Sequence, residues 1–344
     1  MTEPPRLVAA AEARPDVVGF GEAMVLLQPP AAETLDEAAA LEVHSAGAEL
    51  NACAAITALG RRATLVTRLG DDAFGRRIRR AAGHRGVGLA CETDPTRPTG
   101  VFVKDVRPDG ARRVSYYRAG SAASAMDEGD AERGLLLRPR AVLVSGLTAA
   151  LGPGPARLVE HIGRHAADHG SALVLDVNLR PALGRLDSTV RLLLAMLSRV
   201  DLLVLGTDES EPLFGTSDPA EIVRRARQAG VREVVVKAGE QGCWWTDADG
   251  ESRPMRSLAA RVVDPVGAGD AFTGGYLTAR LAGADTRQAA ALGSRLAAGV
   301  LADVGDTTGL PRRAEGVRLL AAAVADSAGA GVAAPFGVGR SRAD

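Results

Sequence analysis

Short runs of Val and Leu, too continuously apolar to alternate, recur along the chain, separated by stretches whose apolar positions return every three or four residues. Runs of the first kind predict strands buried on both faces, and stretches of the second kind predict amphipathic helices. Strands are expected at Asp16–Phe20, Ala63–Arg68, Ala141–Ser145, Ala172–Asp176, Leu202–Leu205 and Glu233–Lys237. Helices are expected at Glu49–Leu59, Phe74–Ala82, Pro155–His169, Ser188–Leu197, Pro219–Ala229, Ala268–Ala282 and Thr286–Ala302. The alternation implies an α/β fold in three layers, with a central, mainly parallel sheet covered by helices on both faces. Two segments break the rhythm. Gly100–Tyr117 alternates around Arg107-Pro108-Asp109-Gly110, a strong hairpin turn, and Met24–Ser45 follows the first strand without a helix-length periodic run. Both predict β excursions that together form a small lid, from about residues 22–46 and 96–120. The tail from about Ser327 is rich in Gly, Ala, Ser and Pro, so one domain over 15–326 is expected, with flexible ends at 1–14 and 327–344.

Composition narrows the choice of partner. Hydrophobic residues make up 46% of the 344, enough for a sizeable core, but aromatics only 3%, so packing must rest on Ala, Val and Leu. A net charge of −1 provides no field for nucleic acid or an anionic membrane, and neither partner is expected. No apolar run approaches the ~18 residues of a membrane span. The first fourteen residues contain no apolar signal core, and the three cysteines (Cys53, Cys91, Cys243) are scattered without a CxxC pair. A cytoplasmic location follows as the expectation. Only Lys104 and Lys237 are lysines among 41 basic residues, which makes each of them more informative.

The richest chemistry lies in Asp264–Leu277, Asp-Pro-Val-Gly-Ala-Gly-Asp-Ala-Phe-Thr-Gly-Gly-Tyr-Leu. It predicts a tight glycine turn and then a helix whose first N–H groups lack intrahelical partners, a natural anion site. Gly267 and Gly269 let a phosphate approach the backbone. Asp270 would then be repelled unless it has a task, and accepting a hydroxyl proton during phosphoryl transfer is such a task. For Gly-x-Gly-Asp alone, an aspartate capping a helix is an equal alternative. Gly19-Phe20-Gly21-Glu22 fails as a dinucleotide fingerprint, because Met24 takes the third glycine position and Pro29-Pro30 excludes the helix. No Gly-Lys pair exists for a Walker A loop. Ala46–Asn51 opens a helix at Gly47, and spacing alone leaves an ordinary helix start open. His161, His165 and His169 share a helix face without a metalloprotease motif, so a solvated face is the simpler reading. Trp244-Trp245 reads as packing.

The fourteen residues from Asp264 closely resemble the C-terminal signature of the ribokinase-like (PfkB) carbohydrate kinases. The resemblance, which runs from Gly19 to about Gly309, implies that Asp270 is the catalytic base and that the amides of Gly267, Ala268, Gly269 and Asp270 form the anion hole. Ala46-Gly47-Ala48-Glu49-Leu50-Asn51 is similar to the N-terminal signature, in which Gly47 and Asn51 would bind sugar hydroxyls. Gly70-Asp71-Asp72-Ala73-Phe74-Gly75 matches an architectural turn. Tyr116-Tyr117-Arg118 and Asp176-Val177-Asn178-Leu179-Arg180 resemble the 2-keto-3-deoxygluconate kinase branch. There Tyr116 and Arg118 would grip an acidic sugar, and Asn178 and Arg180 would also near the nucleotide. Gly21–Met24, Arg118–Ala122 and Ser145–Thr148 match that branch as well. Phe102 stands where the branch often has Tyr. Lys237-Ala238-Gly239-Glu240-Gln241-Gly242 resembles the nucleotide loop, implying ATP contacts at Lys237, Gly239 and Gly242. Glu209 would reach Mg²⁺ through water, although Gly206 replaces the Asn usual before it.

The implied reaction is ATP- and Mg²⁺-dependent phosphorylation of 2-keto-3-deoxy-D-gluconate to its 6-phosphate, with a monovalent-cation requirement left open. A water-excluding lid suits such a reaction. A neutral sugar such as fructose or ribose is the alternative acceptor, and a non-catalytic sugar- or nucleotide-binding protein the alternative class. The exposed edge of the lid sheet offers a place for two copies to pair, so a homo-oligomer is expected.

Overall fold

The computed structural model describes residues 14–30, 33–106, 112–325 and 336. The first half of the chain holds β1 (Val17–Phe20), β2 (Met24–Gln28), β3 (Glu42–Ala46), α1 (Ala48–Ala58), β4 (Ala63–Gly70), α2 (Ala73–His84), β5 (Gly88–Asp94), β6 (Val101–Val106), β7 (Arg112–Tyr117), α3 (Glu128–Leu135) and β8 (Ala141–Ser145). The second half holds α4 (Gly146–Ala149), α5 (Pro153–His165), β9 (Ala172–Asp176), α6 (Leu186–Met196), β10 (Leu202–Gly206), α7 (Glu211–Phe214), α8 (Pro219–Gln228), β11 (Glu233–Lys237), β12 (Cys243–Thr246), β13 (Ser252–Met255), α9 (Ala268–Leu281), α10 (Thr286–Leu301) and α11 (Arg313–Ala325).

Nine strands form the main sheet in the order β13-β12-β11-β10-β9-β8-β1-β4-β5, parallel from β11 to β5, with β12 and β13 added antiparallel. Its central strands are buried end to end because both faces are covered. Val17 packs into one core with α1, α9 and α10, while its neighbours Val18 and Phe20 enter a second core with α3, α5 and α8. This two-sided burial is why period-2 alternation is absent from the sequence. A second sheet, β3-β2-β6-β7, buries Met24, Leu26, Ala46 and Phe102 in a small cluster of its own, while Val25 on the opposite side of β2 joins the core around α1 and α9. Its β6–β7 hairpin pairs Val101 with Tyr117 through to Val106 with Arg112. The expected turn at 107–110 and the expected flexible ends lie outside the described residues, apart from Arg14 and Phe336.

The predicted elements need small corrections. The helix expected over Pro155–His169 runs over Pro153–His165 and closes with a 3-10 turn at Ala167–His169. Seven elements were not expected: β5, β12, β13, α3, α4, α7 and α11. Strands β5 and β13 are sheet edges with mixed polar sequences, and β13 carries Pro254, which an edge tolerates. The expected histidine face is a surface one: His161 meets Glu132 at 3.3 Å and His165 meets Asp168 at 3.3 Å. Among the described residues no cluster of metal-ligating side chains occurs, and no helix is long and apolar enough to cross a membrane.

Chain order sets the position of the site. From β1 the chain moves to β4 and β5 on one side, and later to β8, β9, β10 and β11 on the other. Such a reversal opens a crevice at the C-terminal ends of the strands. The loops after β1, β9, β10 and β11 all end there.

Candidate active site

A cleft of about 490 Å³ lies at these strand ends, walled on one side by the smaller sheet through Met24, Phe102, Val114 and Tyr116. Its floor is the start of α9. Gly267 caps that helix at φ 86°, and a Cβ there would fall 2.3 Å from the backbone oxygen of Asp306, so only glycine fits. No side chain caps the helix, and its first closing bond is Ala271 N–H to the Gly267 carbonyl at 2.9 Å. Among the described residues, the N–H groups of Gly269 and Asp270 have no protein acceptor, and both residues line the cleft. An uncapped helix start with free amides and no bulk is built for an anion.

Two polar side chains frame this start, one of them charged. Lys237, at the end of β11, reaches to within 3.3 Å of where a Gly269 side chain would begin, and its Nζ lies 3.2 Å from both oxygens of Asp176. Thr273 donates to the same Asp176 carboxylate at 2.8 Å. Burial alone would lower the Lys237 pKa, but the carboxylates of Asp176, Glu209 and Asp270 together raise it, which keeps the ammonium charged. On the other side, Asn51 of α1 donates to Asp270 Oδ2 at 2.9 Å and to Asp306 Oδ2 at 3.3 Å.

Asp270 is pushed up to about 7, first by burial and then by the neighbouring charges of Asp176 and Asp306, with the Asn51 hydrogen bond and Lys237 opposing. A carboxyl tuned near neutrality can accept a proton and later release it. Beneath it lies a void of about 10 Å³ bordered by Glu49, Ser145, Asp176 and Asp270. Glu49 is fully buried and accepts hydrogen bonds from Ser145 at 2.5 Å and Thr148 at 2.8 Å, and burial drives its pKa up.

Of the residues singled out in the sequence, Gly47, Asn51, Phe102, Tyr116, Arg118, Asn178, Arg180, Glu209, Lys237, Gly239, Gly267, Gly269 and Asp270 all line this one cleft. Ala268 is buried behind it as the first residue of α9. Gly242 does not line it. At φ 98°, with a notional Cβ 2.0 Å from the Met255 carbonyl oxygen, Gly242 serves the turn against β13. Asn178 sits just past β9 at φ 38°, a left-handed conformation that Asn tolerates better than most side chains.

The two arginines are not alike. Arg118 is buried, its Nε donating to Glu22 Oε2 at 2.7 Å, and Ser121 donates to the other oxygen of Glu22 at 2.5 Å. Its guanidinium lies 5.3 Å from the Tyr116 ring centre, and Tyr116 packs on Phe102 with ring centres 5.8 Å apart. The Nη1 group of Arg118 is buried without a partner among the described residues. Arg180 is more exposed and lies 3.5 Å from Glu209 Oε1, while Glu209 Oε2 accepts from the Gly206 N–H at 2.8 Å. Burial raises the Glu209 pKa and Asp176 adds to this, against Lys237, the Gly206 amide and Arg180.

Three supporting side chains escaped the sequence reading. Asp176 heads the Asp-x-Asn-x-Arg stretch but was read only as its frame, and Glu22 sits inside a matched tetrapeptide. Asp306 lies 255 residues from its partner Asn51 and belongs to no motif.

A mainly parallel sheet between helices with a second, covering β sheet is the ribokinase-like fold. Residues 14–313 match the model for pfkB family carbohydrate kinases, and the chain belongs to that family. It is 37% identical to a 2-dehydro-3-deoxygluconokinase of Thermoproteus tenax, over 91% of this chain and 96% of that protein. It is 27% identical to a 2-dehydro-3-deoxygalactonokinase of Haloferax volcanii, over 82% and 90% of the respective chains. An Escherichia coli protein described as a ribokinase II, solved with ATP and Mg²⁺, shares the fold at a TM-score of 0.80 and 21% identity, covering 90% of this chain and 99% of that one. The protein is a carbohydrate kinase, a phosphotransferase with an alcohol group as acceptor.

Proposed function

We propose that the enzyme phosphorylates 2-keto-3-deoxy-D-gluconate at its 6-hydroxyl, with ATP as donor and Asp270 as base. The observation that carries this reading is the juxtaposition of Asp270 with the free amides of α9, in a cleft that also holds two guanidinium groups. The γ-phosphate of ATP would rest on the Gly269 and Asp270 amides, with Lys237 beside it. The sugar hydroxyl oxygen attacks phosphorus in line, Asp270 accepts the hydroxyl proton, and the bond to the ADP oxygen breaks with its electron pair leaving on ADP. The amides and the helix dipole stabilise charge on the transferring group. Asn51 orients the base. Glu209 lines the cleft with one oxygen held by the Gly206 amide and the other 3.5 Å from Arg180, and suits a carboxylate that meets Mg²⁺ through water. Bound Mg²⁺ would neutralise charge on the phosphates.

Arg118 supports an acidic rather than a neutral acceptor. Its unpartnered Nη1, buried at the covering sheet, would otherwise cost stability, and a sugar carboxylate satisfies it. The relative that acts on the galacto epimer favours the same anionic class while leaving the stereocentre open. A panel of 2-keto-3-deoxygluconate, 2-keto-3-deoxygalactonate, fructose and ribose tests this against Arg118→Lys, which keeps charge beside Glu22 but loses the planar fork. KM for the acidic sugars should rise about ten- to a hundred-fold, the worth of a charged hydrogen bond, with little change for neutral ones. Equal losses on both classes, or preferred turnover of a neutral sugar by the unaltered enzyme, would make the neutral-sugar kinase the better reading.

A further inference from the structure

Lys104 belongs to β6 of the covering sheet, yet it is only 7% exposed and is not among the side chains that line the cleft. Its Nζ donates to Asp264 Oδ2 at 3.0 Å and to Asp306 Oδ1 at 2.9 Å, and both aspartates are buried. Each leads to the reaction centre. Asp264 opens the turn before Gly267, and its Oδ1 accepts from the Val266 N–H at 3.2 Å. Asp306 places its backbone against Gly267 and its Oδ2 on Asn51, whose same amide nitrogen holds Asp270. One ammonium thus joins the covering sheet to the turn that carries the free amides and, two hydrogen bonds further on, to the carboxyl. Residues separated by 160 and 202 positions meet at this nitrogen.

We propose that Lys104 is a positioning residue for phosphoryl transfer: from the covering sheet it fixes the amide turn and orients Asp270 through Asp306 and Asn51. The proposal rests on Asp270 being the base. Its physical content is that the sheet does more than shade the cleft, because the anion-binding turn and the base are both braced only when β6 is seated. The charge matters as well as the reach. The charged groups acting on Asp270 are Asp176 from β9, Lys237 from β11 and Asp306 from the loop after α10. With Lys104 neutral, Asp306 would face Asp270 without its counter-charge, and a nearby uncompensated carboxylate favours the protonated form.

The test uses Lys104→Gln, which keeps a donor but no charge, and a Lys104→Met/Asp306→Asn double variant, whose cluster carries the same net charge as the native one. The double variant also guards against misfolding of the first, since breaking one partner of a buried ion group is strongly destabilising. For Lys104→Gln, kcat should fall about ten- to a hundred-fold, with KM for ATP and sugar changing far less. The acid limb of kcat/KM should move to higher pH. In the double variant the limb should return toward its native position while kcat stays low, because the brace remains broken. A lysine that only stabilises the fold would lower Tm yet leave kcat per folded enzyme and the acid limb unchanged in both variants, and that result overturns the proposal. Asp270→Asn is measured alongside. If it keeps native turnover, the base assignment fails first. If it is inactive while both Lys104 variants are normal, only the positioning role is lost.

Discussion

At the scale of the residue, the proposed chemistry turns on a carboxyl that its surroundings hold near neutrality. Asp270→Asn preserves the Asn51 contact in shape but cannot take a proton, so turnover should fall by roughly 10²–10⁴. Binding of an ATP analogue, followed by calorimetry, should persist. In the unaltered enzyme kcat/KM should climb with pH and level off near the Asp270 value of about 7. The same group has a signed effect on stability. Its folded pKa is raised above the unfolded value of about 3.9, so between the two the folded state binds more protons. Stability from this group is therefore full below about pH 4 and declines as pH rises through 7. Replacing it with Asn removes a buried negative charge, so Tm of the variant should exceed the native Tm at pH 8 and the gap should close toward pH 4. A scan of Tm against pH for the pair checks the sign. A gap that widened on acidification would show that Asp270 is not held protonated by its burial.

At the scale of the element, α9 and the turn before it carry the proposed site. Gly267→Ala combines a left-handed residue, costing ~1–2 kcal/mol, with a methyl 2.3 Å from backbone that cannot swing aside. The turn must shift and carry the free amides with it. Loss of an oxyanion donor costs roughly 10²–10³ in kcat, so activity should collapse while Tm falls only a few degrees. A variant that unfolds outright would show the turn to be a folding element first. The sequence announced this element because its glycines, aspartate and helix start are contiguous. The central strands were equally legible, since burial on both faces forces unbroken apolar runs. The covering sheet showed through its alternation and turn signal. Edge strands β5 and β13 were illegible because a strand with one neighbour and open solvent can be polar, and α3 because eight residues give too short a period. The braces of the site were hidden for another reason. Glu22, Asp306 and Lys104 owe their roles to partners 96 to 255 residues away, which no local pattern encodes.

At the scale of the whole molecule, the two large cores flank the main sheet, whereas the covering sheet has a four-residue cluster of its own and adds only Val25, with the partly buried Leu27, Val43 and Val101, to the edge of one of those cores. At ~1.5–3 kcal/mol for each fully buried large apolar side chain, these few contacts stabilise the covering sheet less than the many buried side chains of the cores stabilise the strands beneath. Local opening should therefore occur well below the global unfolding free energy. The Lys104 bridge and the Arg118–Glu22 pair are polar ties that hold the sheet over the cleft. Amide hydrogen exchange should thus be faster in β2, β3, β6 and β7 than in β8, β9 and β10. A sugar acid together with a non-hydrolysable ATP analogue should slow exchange in the covering sheet selectively, because the ligands bind its closed arrangement. Lys104→Gln should speed exchange in β6 and weaken that protection while leaving β8 and β9 unchanged. Uniform exchange across both sheets, insensitive to ligand, would mean that the molecule opens as one unit and that the covering sheet is a fixed wall.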